Sequence, residues 1–233
     1  MFNDSSPEVD IIIPFHRNDG FLLEAIKSVN ASVGVNPHLI LVNDMDKKVS
    51  RESLGLTKND TLIKSDQRGY IGALKSGIDA SSSKYVAFLD SDDLTHPHRL
   101  KKQIDRIELD DVDYVSGSLH KFRKSINHIS QNSVLGKVPR CSDPRLLLFI
   151  GAHGSDSTIV AKGKSIRETW NEHSKFKSSL ADYGWLLSSL DIGHKLSHVD
   201  EAIYFYRSHQ NQLSRSNTIT QGWQDIWPLW NRL

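Results

Sequence analysis

The 233-residue chain has one cysteine, Cys141, so it cannot close an intramolecular disulfide. That excludes a small fold stapled by disulfides. With no CxxC pattern and no histidine beside it, Cys141 reads as a packing residue, in keeping with a reducing compartment. Long apolar runs are also missing: the strongest, Leu146 to Ile150, is far short of the roughly 20 residues that a membrane helix needs. Met1 to Asp10 is polar and acidic, without the basic-then-apolar order of a secretory leader. The expectation is a soluble, cytoplasmic protein whose membrane contact is at most peripheral. Neither sign of charge dominates, with 29 Lys and Arg against 28 Asp and Glu and a formal net charge of +1, which disfavours nucleic acid as a partner. Ile13-Pro14-Phe15-His16-Arg17 stands where a dinucleotide-binding GxGxxG turn would follow the first strand, so that class of oxidoreductase is excluded. Sugar-nucleotide pyrophosphorylases, which want a glycine-rich basic loop there, are disfavoured for the same reason. No repeat and no low-complexity segment is present.

What the chain does have is an alternation of strand and helix. Val9–Ile13, His38–Val42, Thr61–Lys64, Tyr85–Leu89 and Asp113–Ser118 read as strands, and the runs without polar alternation read as buried on both faces. Between them lie a helix with Phe21, Leu22, Ala25, Ile26 and Val29 on one face, a helix from about Tyr70 to Ala80, and a helix from about Pro97 to Leu109. The pattern predicts an α/β fold with a central, mostly parallel sheet flanked by helices. The later half is less regular: a hairpin over His120–Gln131, short helices near Leu146–Phe149 and Leu180–Leu190, and a strand over Ala202–Arg207.

Three acids within four residues, Asp90, Asp92 and Asp93 around Ser91, follow the strand Tyr85–Leu89. Carboxylates two residues apart at a strand end project to the same side, and their mutual repulsion calls for a counter-ion. Oxygen ligands of this kind suit Mg²⁺ or Mn²⁺ held together with substrate phosphates. The plain alternative is a helix start, since acids favour helix N-termini. In open α/β sheets ligands bind beyond the carboxyl ends of the strands. The residues that follow the other strands are polar as well: Pro14, Phe15, His16 and Arg17; Asn43, Asp44 and Asp46; Asp66, Gln67, Arg68 and Gly69.

The strings IIIPFHRNDGFLLEAIKSV, LILVNDMD and DQRGYIGALKSGIDASSSKYVAFLDSDDLTHPHRL resemble the donor-binding half of family 2 glycosyltransferases of the GT-A fold, over about the first 110 residues. The resemblance implies a nucleotide-sugar site. In it, Pro14 to Arg17 line the base pocket, with Phe15 standing where Tyr is common and offering a ring face for stacking, and Asp44 binds the base or ribose. Asp66, Arg68, Gly69, Asp90 and Ser91 belong to the same nucleotide-binding set, Asp90 and Asp92 match the DXD element, and Asp92 would ligate the metal. Gly69 and Gly72 approach either ligand or neighbouring backbone, while Gly77 reads as a packing glycine. In SLADYGWLLSSLDIGHKL, Asp182 falls where the family carries its general base, although the preceding Glu of many members is Ala181 here. YFYRSHQNQLSRS places His209 where relatives use a His as a metal or diphosphate ligand. Asp93, His153, Gly154, Arg207 and Arg215 are candidate contacts to donor or acceptor.

The expected organisation is a donor-binding half at 1–118, an acceptor-binding and catalytic half of the same domain at 119–218, and an amphipathic helix at 219–233. The tail carries Trp223, Ile226, Trp227 and Trp230 at helical spacing. It is expected to dock on the body of the protein, with a second copy or a membrane surface as its other partners. The resemblance implies an inverting, metal-dependent transfer from a nucleotide sugar, with UDP the expected nucleotide, to a glycan or lipid-linked acceptor. Two alternatives stand beside it: a nucleotide-binding module that has lost catalysis, and a haloacid-dehalogenase-like phosphatase, which also uses DXD after a strand. The phosphatase would place the motif on the first strand and a Thr or Val where Leu94 stands.

Overall fold

The structure is a computed structural model that describes residues 6–123, 134–135, 156–173, 188–189, 191–210 and 212. Among the described residues nine strands form one sheet: β1 (Glu8–Phe15), β2 (Asn36–Asn43), β3 (Thr61–Lys64), β4 (Tyr85–Phe88), β5 (Leu94–Thr95), β6 (Tyr114–Phe122), β7 (Val134–Leu135), β8 (Val160–Lys162) and β9 (Leu196–Arg207). Their order is β3-β2-β1-β4-β8-β6-β9-β5, with β7 on β6. The β3-β2-β1-β4 half is wholly parallel, and antiparallel pairings enter through β8, β7 and β5. Helices α1 (Gly20–Asn30), α2 (Tyr70–Ala80), α3 (Arg99–Asp110) and α4 (Gly163–His173) cover it. The line drawn at residue 118 falls inside β6, and the later strands β8 and β9 are threaded into the same sheet as β1 and β4.

Two apolar layers account for the unalternating strands. Ile11, Ile13 and Phe15 of β1 pack with Leu22, Ile26 and Val29 of α1 and with Leu100, Ile104 and Ile107 of α3. Ile12 faces the other way, toward Ala73, Leu74 and Ile78 of α2 and Trp170 of α4. Pro14 lies two residues beyond the last residue of β1 paired with β4, Ile12 opposite Phe88, where one side of β1 has no ladder to supply with an N–H. Gly77 lets α2 settle on the sheet, since a Cβ there would stand 2.4 Å from Ile12 Cγ2. At Gly72 a Cβ would stand 2.3 Å from the Gln67 carbonyl oxygen, so this glycine admits the loop backbone itself.

Asp10, in the third position of β1, is wholly buried and locks the lower end of the sheet. Its Oδ1 meets His38 Nδ1 at 2.7 Å and accepts from the Ser83 hydroxyl at 2.7 Å, while Oδ2 accepts from the N–H groups of Ser82 and Ser83 at 2.7 and 2.9 Å. Burial alone would raise this carboxyl. The bonds from the Ser83 N–H, His38, the Ser83 hydroxyl and the Ser82 N–H outweigh it and hold Asp10 below the usual carboxylate range. An ionised Asp10 only accepts, so His38 Nδ1 is the donor of that pair, and its Nε2 stands 3.2 Å from the Thr61 hydroxyl.

Several elements differ from the sequence reading. The helix expected from Pro97 starts at Arg99, and the two-residue strand β5 precedes it, pairing Leu94 with Phe205 and Thr95 with Tyr204. The strand expected at Ala202 begins at Leu196 and shifts register against β6 between Gly117 and Leu119, with Asp200 and Glu201 left without a β6 partner. Finally, β8 and α4 occupy a stretch with no assigned element. The α4 face at Ser165, Ile166, Thr169 and Trp170 is buried although half of it is polar, because Ser165 donates to Asp113 at 2.7 Å and Thr169 bonds the Tyr114 hydroxyl at 2.6 Å.

Candidate functional site

Strand order reverses between β1 and β4: the chain builds outward from β1 through β2 to β3 and then returns to β4 on the other side. Such a reversal opens a crevice at the carboxyl ends of the strands. Asp44, directly after β2, ties three of the loops around it. Its N–H donates to the Phe15 carbonyl at 2.8 Å and its Oδ2 accepts from the Gly69 N–H at 3.0 Å. Gly69, at φ +94°, is the N-cap of α2, a backbone conformation that favours glycine. Asn43 shapes the turn beneath by accepting from the Met45 N–H at 2.8 Å and donating to the Lys47 carbonyl at 2.9 Å. Asp66 is exposed, with its N–H held by the Ser76 hydroxyl at 3.0 Å, and Arg68 pairs with Asp46 at the surface. Arg17 Nε donates to His16 Nε2 at 2.9 Å. Asp44, Asp66, Arg68 and Gly69 are therefore brought to one rim, with Arg17 on the loop that leaves β1.

The acid loop closes the other side of the crevice. Asp90 accepts from the Tyr70 hydroxyl at 3.2 Å. Asp92 Oδ2 lies 2.7 Å from His209 Nε2, joining residues 117 positions apart, with side chains 31% and 18% exposed. His209 packs its ring on Phe21, centroids 5.3 Å apart, and its N–H donates to Gln212 Oε1 at 3.2 Å. The two atoms bond each other here, and a carboxylate oxygen beside an imidazole nitrogen, both partly open to solvent, are donor types that suit a divalent cation. Among the described residues no three His, Cys, Asp or Glu side chains gather as a metal-binding group. A cation here would draw its remaining ligands from substrate phosphate and water.

Several expected roles are corrected. Phe15 is 1% exposed and belongs to the core with Leu22 and Leu41. Because β1 runs on to residue 15, pleat parity sends this ring to the same side as Ile11 and Ile13, so it presents no face to a base. Pro14 is likewise buried. Asp93 is fully buried, not a contact to donor or acceptor: Oδ1 accepts from the Arg207 N–H at 2.7 Å and Oδ2 from the Tyr204 hydroxyl at 2.8 Å. Burial, with Asp92 beside it, pushes the Asp93 carboxyl above its ordinary range against the pull of the Arg207 N–H and the Tyr204 hydroxyl. Arg207 is 2% exposed and committed within the protein. Nε donates to the Asp92 carbonyl at 2.6 Å and one terminal nitrogen to Glu24 at 2.6 Å, while the guanidinium stacks over Phe21 and Phe122 at 4.3 and 4.7 Å. The repulsion argument for a counter-ion also loses part of its force, because Arg207 and Arg99 already place positive charge behind the acids.

Arg99, Gln103, Tyr70 and Tyr204 are functional neighbours that the sequence reading did not single out. Arg99 is buried at the start of α3 and donates to Gln103 Oε1 and to the carbonyls of Phe88 and Ser157, each at 2.9 Å, and to that of Ile159 at 3.3 Å. Gln103 in turn donates to the Val115 and Thr158 carbonyls at 2.7 and 2.8 Å. Burial lowers the Arg99 guanidinium to about 10, opposed by Tyr204, Asp90 and Asp93. A readable signal existed: Arg99 and Gln103 sit four apart on the same stripe as Leu100, Ile104 and Ile107, a polar pair on a core-facing helix face. A depression of about 390 Å³ between α3 and β9, bordered by Lys102, Arg106, His198 and Glu201, shares no residue with the acid loop. Asp182, His153, Gly154, Arg215, Cys141 and the tryptophan-bearing tail lie outside the described residues. No helix among the described residues is long and apolar enough to cross a membrane.

Comparison with known proteins bears on the same geometry. The succinoglycan biosynthesis protein ExoO of Rhizobium meliloti (strain 1021) is 26% identical over 229 residues, spanning 91% of this chain and 64% of that protein. Glycosyltransferase GlyA of Streptococcus pneumoniae is 23% identical over 219 residues, 89% of this chain and 32% of that one. Among solved structures, S. aureus TarS 1-349 in complex with UDP-GlcNAc superposes with a TM-score of 0.70 at 12% identity, over 95% of this chain and 65% of that chain. The chain thus spans less than two thirds of the length of each, and the fold they share is of the GT-A type. Residues 10–174 match the profile described as Glycosyl transferase family 2, a stretch that runs from β1 through the acid loop to the end of α4. On that match, and with its acid loop and Asp44 facing one crevice of a GT-A sheet, the chain belongs to glycosyl transferase family 2.

Proposed function

We propose that this chain transfers a sugar from a UDP-sugar to a hydroxyl of a glycan or lipid-linked acceptor, with inversion and with a divalent cation. The observation that carries the reading is the Asp92–His209 pair, set across the crevice from the Asp44–Gly69 clip. The nucleotide part draws support from TarS, which was solved with UDP and with UDP-GlcNAc. The acceptor class draws support from ExoO, a protein of succinoglycan biosynthesis.

Asp44, fixed by one oxygen to the Gly69 N–H, keeps its other oxygen to accept from a base or ribose. On this reading Asp90, with Ser91 beside it, would contact the ribose or the water shell of the metal. Mn²⁺ or Mg²⁺ would be held by the Asp92 carboxylate and His209 Nε2, and when bound it would offset the charge of the departing diphosphate. Asp182 is assigned the general base through the family resemblance. Its carboxylate takes the proton of the acceptor hydroxyl as that oxygen bonds to the anomeric carbon and the bond from that carbon to the diphosphate oxygen breaks. A single displacement of this kind inverts the anomeric centre.

Calorimetric titration of UDP into the wild type and Asp92→Ala, each with Mn²⁺ and then with chelator, tests the reading. Binding by the wild type that needs Mn²⁺ and is lost in Asp92→Ala is the expected result, and it would be followed by screening UDP-sugars for hydrolysis and transfer. Failure of the wild type to bind UDP under either condition would overturn the UDP assignment.

A further inference from the structure

The acid loop makes one turn bond of its own, from the Asp93 N–H to the Asp90 carbonyl at 3.1 Å, and Asp90 also takes the Tyr70 hydroxyl. The other bonds that fix it come from β9, at sequence separations of 111 to 115, with α1 behind them. The Tyr204 hydroxyl stands at the centre: it donates to Asp93 Oδ2 at 2.8 Å and accepts from the Asp90 N–H at 3.3 Å, so one oxygen spans both ends of the four-residue turn. Three residues on, Arg207 repeats the pattern with two groups. Its N–H donates to Asp93 Oδ1 at 2.7 Å and its Nε–H to the Asp92 carbonyl at 2.6 Å. The Arg207 carbonyl receives the Gln212 side-chain amide, whose oxygen takes the His209 N–H at 3.2 Å, so the same clamp aims His209 at Asp92. Glu24 of α1 ends the chain of bonds at the surface, holding the Arg207 guanidinium at 2.6 Å with a carboxylate that is 52% exposed.

We infer that Tyr204, Arg207 and Glu24 are positioning residues: the end of β9 templates the acid loop, and this template sets how tightly the site takes a divalent cation together with a nucleoside diphosphate. The inference rests on the donor-site reading given above. Tyr204 and Arg207 are buried, and on this reading they act through the places they give to Asp90, Asp92 and His209, not by touching substrate. Removing a hydrogen-bonded group that orients a metal ligand typically lowers metal affinity roughly 10–100-fold.

The test measures the Mn²⁺ concentration that gives half-maximal UDP binding for the wild type, Tyr204→Phe, Glu24→Ala, Glu24→Gln and Asp92→Ala, with a thermal melt of each. Tyr204→Phe keeps the ring and loses only the bridging oxygen. It is expected to raise the half-saturating Mn²⁺ roughly 10–100-fold. Glu24→Ala is expected to shift it the same way by a smaller factor, because Arg207 keeps its bonds to the loop. Glu24→Gln, which still accepts from Arg207, is expected to return most of the way to wild type; that rescue is something a general loss of stability would not give. Should Tyr204→Phe fail to fold, the Glu24 pair carries the test from the surface. If Asp92→Ala abolishes metal-dependent binding while Tyr204→Phe and both Glu24 variants titrate as the wild type does, the templating role is overturned and the donor site stands. If the wild type itself binds UDP with no dependence on Mn²⁺, the donor-site reading fails, and the inference with it.

Discussion

Replacing Asp10 separates two kinds of damage that a buried carboxylate can suffer. In Asp10→Ala the N–H groups of Ser82 and Ser83 lose their acceptor inside the protein, and a buried donor left unmade costs about 1–3 kcal/mol. Ser83 is half-buried and Ser82 exposed, so water meets part of the need and the loss is set at about 1–4 kcal/mol, against the roughly 5–15 kcal/mol that a domain has in all. Asp10→Asn is gentler. Its one oxygen can face the two N–H groups, which cannot turn, while its amide faces Ser83 Oγ and His38 Nδ1, which can both accept once His38 moves its proton to Nε2 and donates to Thr61. What remains is the difference between charged and neutral hydrogen bonds, about 1–2 kcal/mol. The carboxyl of the folded protein titrates below its ordinary value. Its contribution is therefore complete above the unfolded-state pKa, near 4, and is lost as pH falls through the lower, folded value. Urea unfolding followed by tryptophan fluorescence at about pH 7, 5 and 3.5 reads both effects. The wild type should exceed Asp10→Asn at pH 7 and 5, and by a smaller margin at 3.5, with Asp10→Ala the least stable throughout. Equal losses in the two variants, or a margin that grows in acid, would refute the reasoning.

Two further outcomes bear on the site. Phe15→Ala should lower stability by about 3–5 kcal/mol, as core Phe truncations do, while UDP affinity measured well below the melting temperature stays within about threefold of wild type; a tenfold loss of affinity with an unchanged melt would restore the stacking role. Asp182→Asn should keep UDP affinity and reduce transfer by roughly 10²–10⁴-fold, the usual worth of a positioned general base; turnover at the wild-type rate would remove Asp182 from the mechanism.

The first half of the fold was readable because its signals are strong and local. Ile11–Ile12–Ile13 and Leu39 to Val42 have no polar alternation, and α1 spaces Leu22, Ala25, Ile26 and Val29 on one face. The later elements carry their burial in polar residues: Ser165 and Thr169 of α4 go inside because Asp113 and Tyr114 receive them, which no periodicity of apolar residues announces. Within the site, the loops after β2, β3 and β4 could be located, and the local string around His209 led to a histidine that does meet Asp92. Side-chain direction was harder. Ending β1 at Ile13 left Phe15 in a loop with a free ring, whereas two more residues of strand turn it into the core. Asp93 and Arg207 looked like ligand contacts because charge at a strand end usually faces solvent, and their pairing across a sequence separation of 114 is invisible along the chain.

That separation has a consequence for biosynthesis. Strands β1 to β4 can assemble once the chain has been made as far as Phe88, but the acid loop that follows them stays unset until β9 arrives. At translation rates of about 5–20 residues per second, the 114 residues between Asp93 and Arg207 take roughly 6 to 23 s to appear. During that interval a nascent chain carries a nearly complete parallel sheet with an unfinished edge, and three acids that have not yet met their counter-charges. Setting of the acid loop is then a late event in the life of each molecule, and slow closure of such distant contacts makes it the step most exposed to misfolding.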